Sequence, residues 1–284
     1  MVDALTARSR RSDLIIRVSV EYVGTKIAGS SGSRLEGVEE VPVLSNTGNA
    51  ENRLLALLPA PEAERWRPHL ELVNMPLGQV IYEPGAELGF AFFPVTAIVS
   101  LLYVMENGAS AEIAVVGNDG MVGVSLFMGG STTPSRAVVQ CAGTGYRLPA
   151  SMLKSAIGRE TGVLHVLLRY AQALLTQMAQ TAVCNRHHTL HQQFCRWLLL
   201  SLDRLPGNEL VMTQELIANM LGVRRQGVNE LAAKLRSGGA IDYRRGRILI
   251  LDRAKLEVCS CECYSVVAKE CARLLPSALR QPLA

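Results

Sequence analysis

The stretch from Val211 to Arg253 contains the densest set of local folding signals in the sequence. Thr213 is a good helix N-cap, because its hydroxyl oxygen can accept a hydrogen bond from a free backbone N–H. Apolar residues at helical spacing follow, and Gly222 marks the end of this helix, where a left-handed residue is needed. A second helix is predicted to begin at Arg224. Its apolar stripe comprises Val228, Leu231, Ala232 and Leu235.

Two short helices joined by a glycine-containing turn form the helix-turn-helix pattern. Gly238 and Gly239 end the second helix, and two β-rich runs follow at Ala240–Tyr243 and Arg247–Leu251. The residues 244–246 between these runs are typical of a turn, so the pattern predicts a hairpin wing beside the second helix.

Positive charge is concentrated in the same stretch. Residues 213–253 include eight Lys and Arg and four Asp and Glu, an excess of four positive charges. The formal net charge of the whole chain is +4, so the remainder is neutral on balance. A polyanion such as double-stranded DNA is the natural partner of such a surface. A small helical bundle with a solvated basic face is the alternative.

A change of pattern divides the rest of the chain. Residues 1–50 are rich in Gly and Ser and predict a flexible extension. Two short helices, broken at Pro59 and Pro61, come before Leu70. From there to Pro149, short β-branched and apolar runs alternate with turn residues, which predicts a small antiparallel sandwich or barrel.

A soluble, cytoplasmic protein with no membrane partner is expected. Met1–Arg17 has scattered charges and lacks the apolar segment of a signal peptide. The longest apolar run, Phe90–Met105, is shorter than the ~20 residues of a membrane helix, and Pro94 interrupts it. The run is therefore interpreted as a buried strand.

One long helix is predicted from Ser151 to Cys184. Its apolar residues alternate at spacings of four and three, which resembles a heptad seam. The seam comprises Leu164, Leu168, Ala171, Leu175, Met178 and Ala182. Such a helix favours a two-fold dimer, which would place two recognition helices in successive major grooves. Packing of the helix on its own sheet is the alternative.

The order of these elements resembles the Crp/Fnr family of bacterial transcription regulators. The resemblance covers about Asn52 to Tyr264, and its most specific parts are MTQELIANMLGVRRQGVNELAAKL (212–235) and the wing that follows. It implies an α+β fold and a homodimer at a near-palindromic promoter site, in contact with RNA polymerase. The expected divisions are a flexible extension (1–50), a jelly-roll-like antiparallel β-roll of the cyclic-nucleotide-binding type (51–150), a dimer helix (151–186), a winged helix-turn-helix (187–275) and a tail (276–284).

The resemblance also implies which side chains meet DNA. The expected base contacts are Arg224, Arg225, Gln226, Asn229 and Glu230. The expected phosphate contacts are Thr213, Gln214, Arg244, Arg245 and Arg247. The Arg225 guanidinium suits the edge of a guanine. Gln226 stands where well-known members have Glu, and Glu230 where they have Arg, so the target sequence is expected to differ from theirs.

In members of the family that bind cyclic nucleotides, a glycine-rich turn and one arginine hold the phosphate. The matching residues here are Gly120, Gly123 and Arg136. Met121 and Val124 follow the two glycines, where the family has a ribose-binding Glu, so no cyclic nucleotide cofactor is expected. Another small effector, or none, remains open. As alternatives, Arg136 is a surface strand residue or an intramolecular partner of Glu112 or Asp119.

The cysteines and histidines are the candidate metal ligands. No Cys precedes Cys141, so the N-terminal iron–sulfur cluster of some family members is not expected. If Cys259, Cys261 and Cys263 lay on one helix, Cys261 would point away from the other two, and no compact thiolate site would form. His187 and His191, with His188 between them, have an i, i+4 spacing that can bind zinc, but the Glu of the HExxH motif is missing. No metal site is predicted.

Enzyme signatures are missing from the sequence. Residues 123–127 lack the second glycine of a GxSxG nucleophile elbow, and there is no phosphate-binding Walker loop. The predicted function is therefore a homodimeric, sequence-specific DNA-binding regulator. The alternative is a ligand-, redox- or metal-sensing module that acts through protein contacts.

Overall fold

The computed structural model describes residues 52–159, 161–205 and 207–276. The predicted extension (1–50) and nearly all of the predicted tail (276–284) lie outside these residues. The predicted α+β class is confirmed, with antiparallel strands first, then long helices, then a small sheet among helices. Within the described residues, every helix is too short or too polar to cross a membrane.

The first part of the described chain is an antiparallel β-roll. Two short helices precede it, α1 (Arg53–Ala56) and α2 (Ala60–Trp66). Its strands are β1 (Glu71–Met75), β2 (Val80–Tyr82), β3 (Phe90–Pro94), β4 (Ile98–Val104), β5 (Ser110–Val116), β6 (Arg136–Cys141) and β7 (Gly143–Pro149). They form two antiparallel sheets, in the orders β1-β7-β3 and β2-β6-β4-β5. The predicted single strand over Phe90–Met105 is therefore wrong, because the chain passes from one sheet to the other between Pro94 and Ile98.

Two helices follow, α3 (Ala150–Arg159) and α4 (Thr161–His187), so the prediction of a single helix was wrong. Gly158 and Gly162 lie on either side of the junction, and glycine weakens a helix interior. Helix α3 buries Leu153 and Ala156 in the core of the β-roll, and the first half of α4 adds Val163 to the same core.

The remaining elements form the winged helix-turn-helix half. They are α5 (Leu190–Leu202), β8 (Glu209–Val211), α6 (Gln214–Leu221), α7 (Arg225–Ser237), β9 (Ile241–Arg244), β10 (Arg247–Ile250), α8 (Arg253–Cys259) and α9 (Glu262–Leu274). The strands are antiparallel, in the order β8-β10-β9. Asp252 caps α8, accepting from Lys255 N at 3.1 Å. Helix α8 ends at Cys259, and Glu262 begins α9.

The β-roll and the helix-turn-helix half share apolar contacts. Ile98 and Val115, from the four-stranded sheet, lie in one buried cluster with Phe194 and Trp197 of α5. Helix α9 packs back along α4 and contributes to both cores. Its Val267 belongs to the core of the helix-turn-helix half, whereas Leu274 belongs to the core of the β-roll.

Candidate nucleic-acid interface

The local signals of the helix-turn-helix are in place. Thr213 Oγ1 accepts from Leu216 N at 3.2 Å and caps α6, and Gly222 ends this helix with a φ of 64° in the left-handed region. Arg224 is the N-cap of α7, so the second helix begins one residue later than expected. The cap at Thr213 and the terminating glycine were both predicted correctly, because each depends on neighbouring residues only.

Helix α7 has one buried face and one exposed face. Val228, Ala232 and Leu235 are buried in the core, whereas Leu231 is only partly buried. The side chains predicted to contact bases are all exposed: Arg224, Arg225, Gln226, Asn229 and Glu230. Two hydrogen bonds organise this surface, from Arg225 Nε to Gln214 Oε1 at 3.2 Å and from Gln226 Nε2 to Glu230 Oε1 at 3.4 Å. The structure therefore brings the predicted base-contact residues together, which we call the α7 face.

The wing is a tight hairpin with an arginine at its tip. Arg245 has a φ of 50° and Gly246 a φ of 77°, so both loop residues have the positive φ of a type I′ turn. Arg244 pairs with Asp242 at 3.0 Å, and Arg247 pairs with Glu209 at 2.9 Å. Among the described residues, no ion pair is formed by Arg245. It is therefore the wing arginine whose charge is least compensated within the chain.

The glycine turn that was expected to bind a phosphate has a different role in the structure. A Cβ on Gly120 would lie 2.4 Å from the Tyr170 ring, and the Gly120 N–H donates to Gly117 O at 3.1 Å. The Tyr170 hydroxyl donates to Met121 O at 2.8 Å. Gly120 therefore allows α4 to pack closely and has no free N–H for a ligand, whereas Gly123 has a φ of 105° that favours glycine.

Arg136 agrees with one of the alternatives, a surface strand residue, and not with the expected phosphate contact. Its guanidinium pairs with Glu83 at 2.9 Å on the surface of the β-roll. Neither Glu112 nor Asp119 is its partner, because Glu112 is buried beside Ser100 and Asp119 pairs with Arg204. The proposed pocket of Gly120, Gly123 and Arg136 is therefore corrected to a packing turn and a separate surface ion pair.

A buried polar cluster joins the β-roll to the helix-turn-helix half. Arg204, just after α5, forms an ion pair of 2.8 Å with Asp119, and only 6% and 14% of the two side chains are exposed. Arg204 also donates to Gln177 Oε1 at 3.0 Å, and Gln177 Nε2 donates to Val115 O at 3.0 Å. A Cβ on Gly117 would lie 2.5 Å from Arg204, so this glycine makes room for the arginine. Sequence patterns could not reveal this cluster, because its members are far apart in the chain.

A second buried group lies between the β-roll and α5. Ser100 Oγ is within hydrogen-bonding reach of both Glu112 Oε2 and Gln140 Oε1, and Gln140 Nε2 donates to Ser201 Oγ at 3.4 Å. One hydroxyl proton cannot serve two acceptors, so a protonated Glu112 completes the chain of hydrogen bonds. Burial raises the pKa of Glu112 to about 7, which is consistent with this proton.

The predicted seam of α4 is divided between two faces. Ala171 is buried in the chain's own core, and Met178 packs against that core. These two residues are therefore removed from the predicted dimer seam, because their side chains already have partners. Leu164 is half-buried. Leu168, Leu175 and Ala182 are exposed and repeat every seven residues.

Three cysteines and a histidine meet where α4 ends. Cys184 Sγ lies 3.5 Å from Cys261 Sγ, and Cys263 Sγ lies 3.5 Å from His188 Nδ1. Burial raises the pKa of Cys184 to about 12 and that of Cys263 to about 11. The expectation that Cys261 points away is wrong, because the chain is not helical between Cys259 and Glu262. The i, i+4 spacing of Cys184 and His188 was the available signal for half of this cluster.

The helical spacing assumed for the other histidines does not hold. Helix α4 ends at His187 and α5 begins at Leu190, so His187 and His191 are not on one continuous helix. Thr189, between them, is the N-cap of α5 and forms a capping box with Gln192.

Comparison with known proteins agrees with this architecture. Residues 192–259 match the Crp-like helix-turn-helix domain. The fold is similar to FixK2 from Bradyrhizobium japonicum, with 16% identity, coverage of 68% of this chain and 98% of that one, and a TM-score of 0.58. No curated protein matches the sequence.

Two further solved structures share the fold. TTHB099, a transcriptional regulator of the CRP family from Thermus thermophilus, has 18% identity, coverage of 66% and 95%, and a TM-score of 0.55. The c-di-GMP responsive global regulator CLP from Xanthomonas campestris has 16% identity, coverage of 68% and 99%, and a TM-score of 0.53. The chain therefore contains a Crp-like helix-turn-helix domain at residues 192–259, and its described part shares the fold of these transcriptional regulators.

Proposed function

We propose that the protein is a homodimer that recognises a near-palindromic DNA site with two copies of the α7 face. The observation that carries the proposal is the exposure of Arg225, Gln226, Asn229 and Glu230 on one side of α7, next to a wing with Arg245 at its tip. Side chains in this arrangement can read base edges in the major groove while the wing contacts phosphates.

The exposed stripe of α4 supports the two-fold assembly. Leu168 and Leu175 are 47% and 57% exposed, and with Ala182 they form a seam of seven-residue period. A second copy of the same helix would bury these side chains. The centres of the two half-sites would then lie about one helical turn of DNA apart, or about 34–36 Å.

In this proposal the β-roll packs against the DNA-binding half and does not bind a cyclic nucleotide. Asp119 and Gln177 hold Arg204, and Tyr170 covers Gly120, so the turn that binds phosphate in some relatives here contacts other parts of the chain. We propose that no cyclic nucleotide is required for DNA binding. Contact with RNA polymerase at the promoter is proposed from the resemblance to the Crp/Fnr family alone.

Selection of bound fragments from a random DNA pool tests the proposal. We expect two related half-sites in inverted orientation. Arg225→Ala should lose about 1–3 kcal/mol of discrimination at one base pair of each half-site. Arg245→Ala should keep the selected sequence and lower the slope of log K against log salt by about 1 per wing. Lys154→Ala, which removes an exposed positive charge from α3, is the control and should change neither quantity.

The alternative function makes the opposite prediction. A sensing module that acts through protein contacts would select no common sequence from the pool. Equal losses of affinity for selected and random DNA in Arg225→Ala and Arg245→Ala would also contradict sequence reading by the α7 face.

A further inference from the structure

The cluster of Cys184, His188, Cys261 and Cys263 has the composition of a metal site. Its three Sγ atoms and one ring nitrogen all lie within 4.8 Å of one another. Three different positions in the chain supply them: the end of α4, the segment between α8 and α9, and the first turn of α9. We propose that these four residues bind one Zn²⁺ in a closed structural site.

The distances match a tetrahedral ion. Zn–S bonds of about 2.3 Å and Zn–N bonds of about 2.0 Å place neighbouring sulfur atoms about 3.8 Å apart, and a sulfur and a nitrogen about 3.5 Å apart. The observed Sγ–Sγ distance between Cys184 and Cys261 is 3.5 Å, and the distance from Cys263 Sγ to His188 Nδ1 is also 3.5 Å. Side chains at these separations need only small adjustments to share one ion.

A carboxylate orients the histidine. His188 Nε2 lies 3.3 Å from Glu262 Oε2. A proton on Nε2 that is donated to this carboxylate leaves the lone pair of Nδ1 directed at the thiols. Metal-binding histidines commonly have this carboxylate partner, which fixes the ring and makes the ligand nitrogen more basic.

A buried arginine balances the charge of the loaded site. Three thiolates and a neutral imidazole leave Zn²⁺ with a net negative charge. Arg196 is only 5% exposed, donates to Thr181 Oγ1 at 3.2 Å, and has an Nε without a hydrogen-bond partner. Burial raises the pKa values of the Cys184 and Cys263 thiols, and the positive charge of Arg196 opposes this rise. No ion pair of Arg196 occurs within the part of the chain that the structure describes, so an anionic metal cluster would supply its counter-charge.

The ligand set favours zinc over other occupants. Sulfur-rich tetrahedral sites with one imidazole suit Zn²⁺, whereas Mg²⁺ and Ca²⁺ prefer oxygen. A disulfide between Cys184 and Cys261 would use two of the three thiols and leave Cys263 and His188 without a role. Four protein ligands fill the coordination sphere, which is typical of structural rather than catalytic zinc.

The position of the site indicates what the ion would do. Cys184 and His188 lie at the end of the helix that carries the exposed seam, whereas Cys261 and Cys263 begin the last helix of the DNA-binding half. The three cysteines form a small buried cluster of their own, separate from the larger apolar cores. A metal ion here would fix the direction in which α5 leaves α4, and therefore the placement of the α7 face.

Metal analysis of the full chain tests the site. Protein purified under reducing conditions from zinc-supplemented cells should contain about one zinc ion per chain. Elemental mass spectrometry measures this content. Co²⁺ in its place should give the visible absorption of a tetrahedral thiolate complex. Cys263→Ser and His188→Ala should lose the metal. Cys259→Ser is the matched control, because this cysteine is only two residues from Cys261 but lies outside the cluster, and it should keep the metal.

A second variant serves if the ligand variants fail to fold. Glu262→Gln keeps all four ligands, and its side chain is 73% exposed, so the fold is expected to tolerate it. Its zinc affinity should fall about 10- to 100-fold in competition with a chelator. The proposal is overturned if the reduced chain takes up no zinc, if a Cys184–Cys261 disulfide forms in place of metal binding, or if Cys259→Ser loses zinc as the ligand variants do. None of these measurements requires DNA, so they stand apart from the test of the proposed function.

Discussion

The guanidinium of Arg204 and the carboxylate of Asp119 form a buried ion pair of 2.8 Å between the DNA-binding half and the β-roll. Burial lowers the pKa of Arg204, but the combined charges of Asp119, Cys271, Asp203 and Tyr170 outweigh this effect, so the pKa is raised. The two halves of the chain are thus connected by a charged contact as well as by apolar packing.

Removal of one member of this pair should be costly. Arg204→Met leaves Asp119 without its counter-charge, and we expect the free energy of unfolding to fall by about 3–5 kcal/mol. Urea unfolding monitored by circular dichroism measures this change. Arg136→Met is the control, because the Arg136–Glu83 pair is 36% and 55% exposed and should contribute less than about 1 kcal/mol. Similar losses in both variants would contradict a special role for the buried pair.

Two glycine substitutions should change stability in opposite directions. Gly120→Ala places a methyl group 2.4 Å from the Tyr170 ring, which is buried and hydrogen-bonded, so we expect a loss of about 1–3 kcal/mol. Gly158→Ala meets nothing within 4 Å in helix α3 and should stabilise the protein by up to about 1 kcal/mol. Thermal unfolding compares the two. An unchanged melting temperature for Gly120→Ala would show that this turn can move away from α4.

Features that depend on neighbouring residues could be predicted from the sequence. Features that depend on contacts between distant residues could not. Thr213, Gly222 and the Arg245-Gly246 turn were predictable, because capping and positive φ depend on a few adjacent residues. The break at Cys261 was not, because the spacing of the cysteines fits a helix and the buried position of Cys261 depends on contacts with Cys184, 77 residues earlier. The residue types of the α7 face were predictable, but the closure of the Gly120 turn by Tyr170 was not.

Acid should stabilise the protein through Glu112. Burial raises the pKa of this carboxyl from 4.5 to about 7, so the folded state holds a proton that the unfolded state releases. This contribution to stability is fully present below about pH 4.5 and is lost as the pH rises through about 7. Glu112→Gln should remove this part of the pH dependence, which amounts to roughly 3 kcal/mol. Urea unfolding between pH 5 and 8, at intervals of about half a unit, tests the prediction. If the stability of Glu112→Gln fell with rising pH as steeply as that of the unchanged protein, other groups would be responsible for the effect.

The exposed seam of α4 should control assembly. Leu175→Asp changes both copies in a two-fold dimer and removes about 3–6 kcal/mol of apolar burial. The dissociation constant should therefore rise by about 10²- to 10⁴-fold in analytical ultracentrifugation. Leu77→Asp, at a residue that is 41% exposed in the β-roll, should leave the dissociation constant unchanged. Equal sedimentation of the two variants would exclude the seam as the interface.

Helix α9 limits where the chain can be divided into separate fragments. The matched helix-turn-helix region stops at residue 259, yet Val267 fills the core beneath α5. A fragment cut at that boundary would retain every side chain of the α7 face but would leave a hole where Val267 had been. Extending the fragment through α9 would strip Leu274 and Leu275 from the β-roll and expose them to water. Neither half of the described chain is therefore self-sufficient, and DNA recognition is best studied in the intact polypeptide.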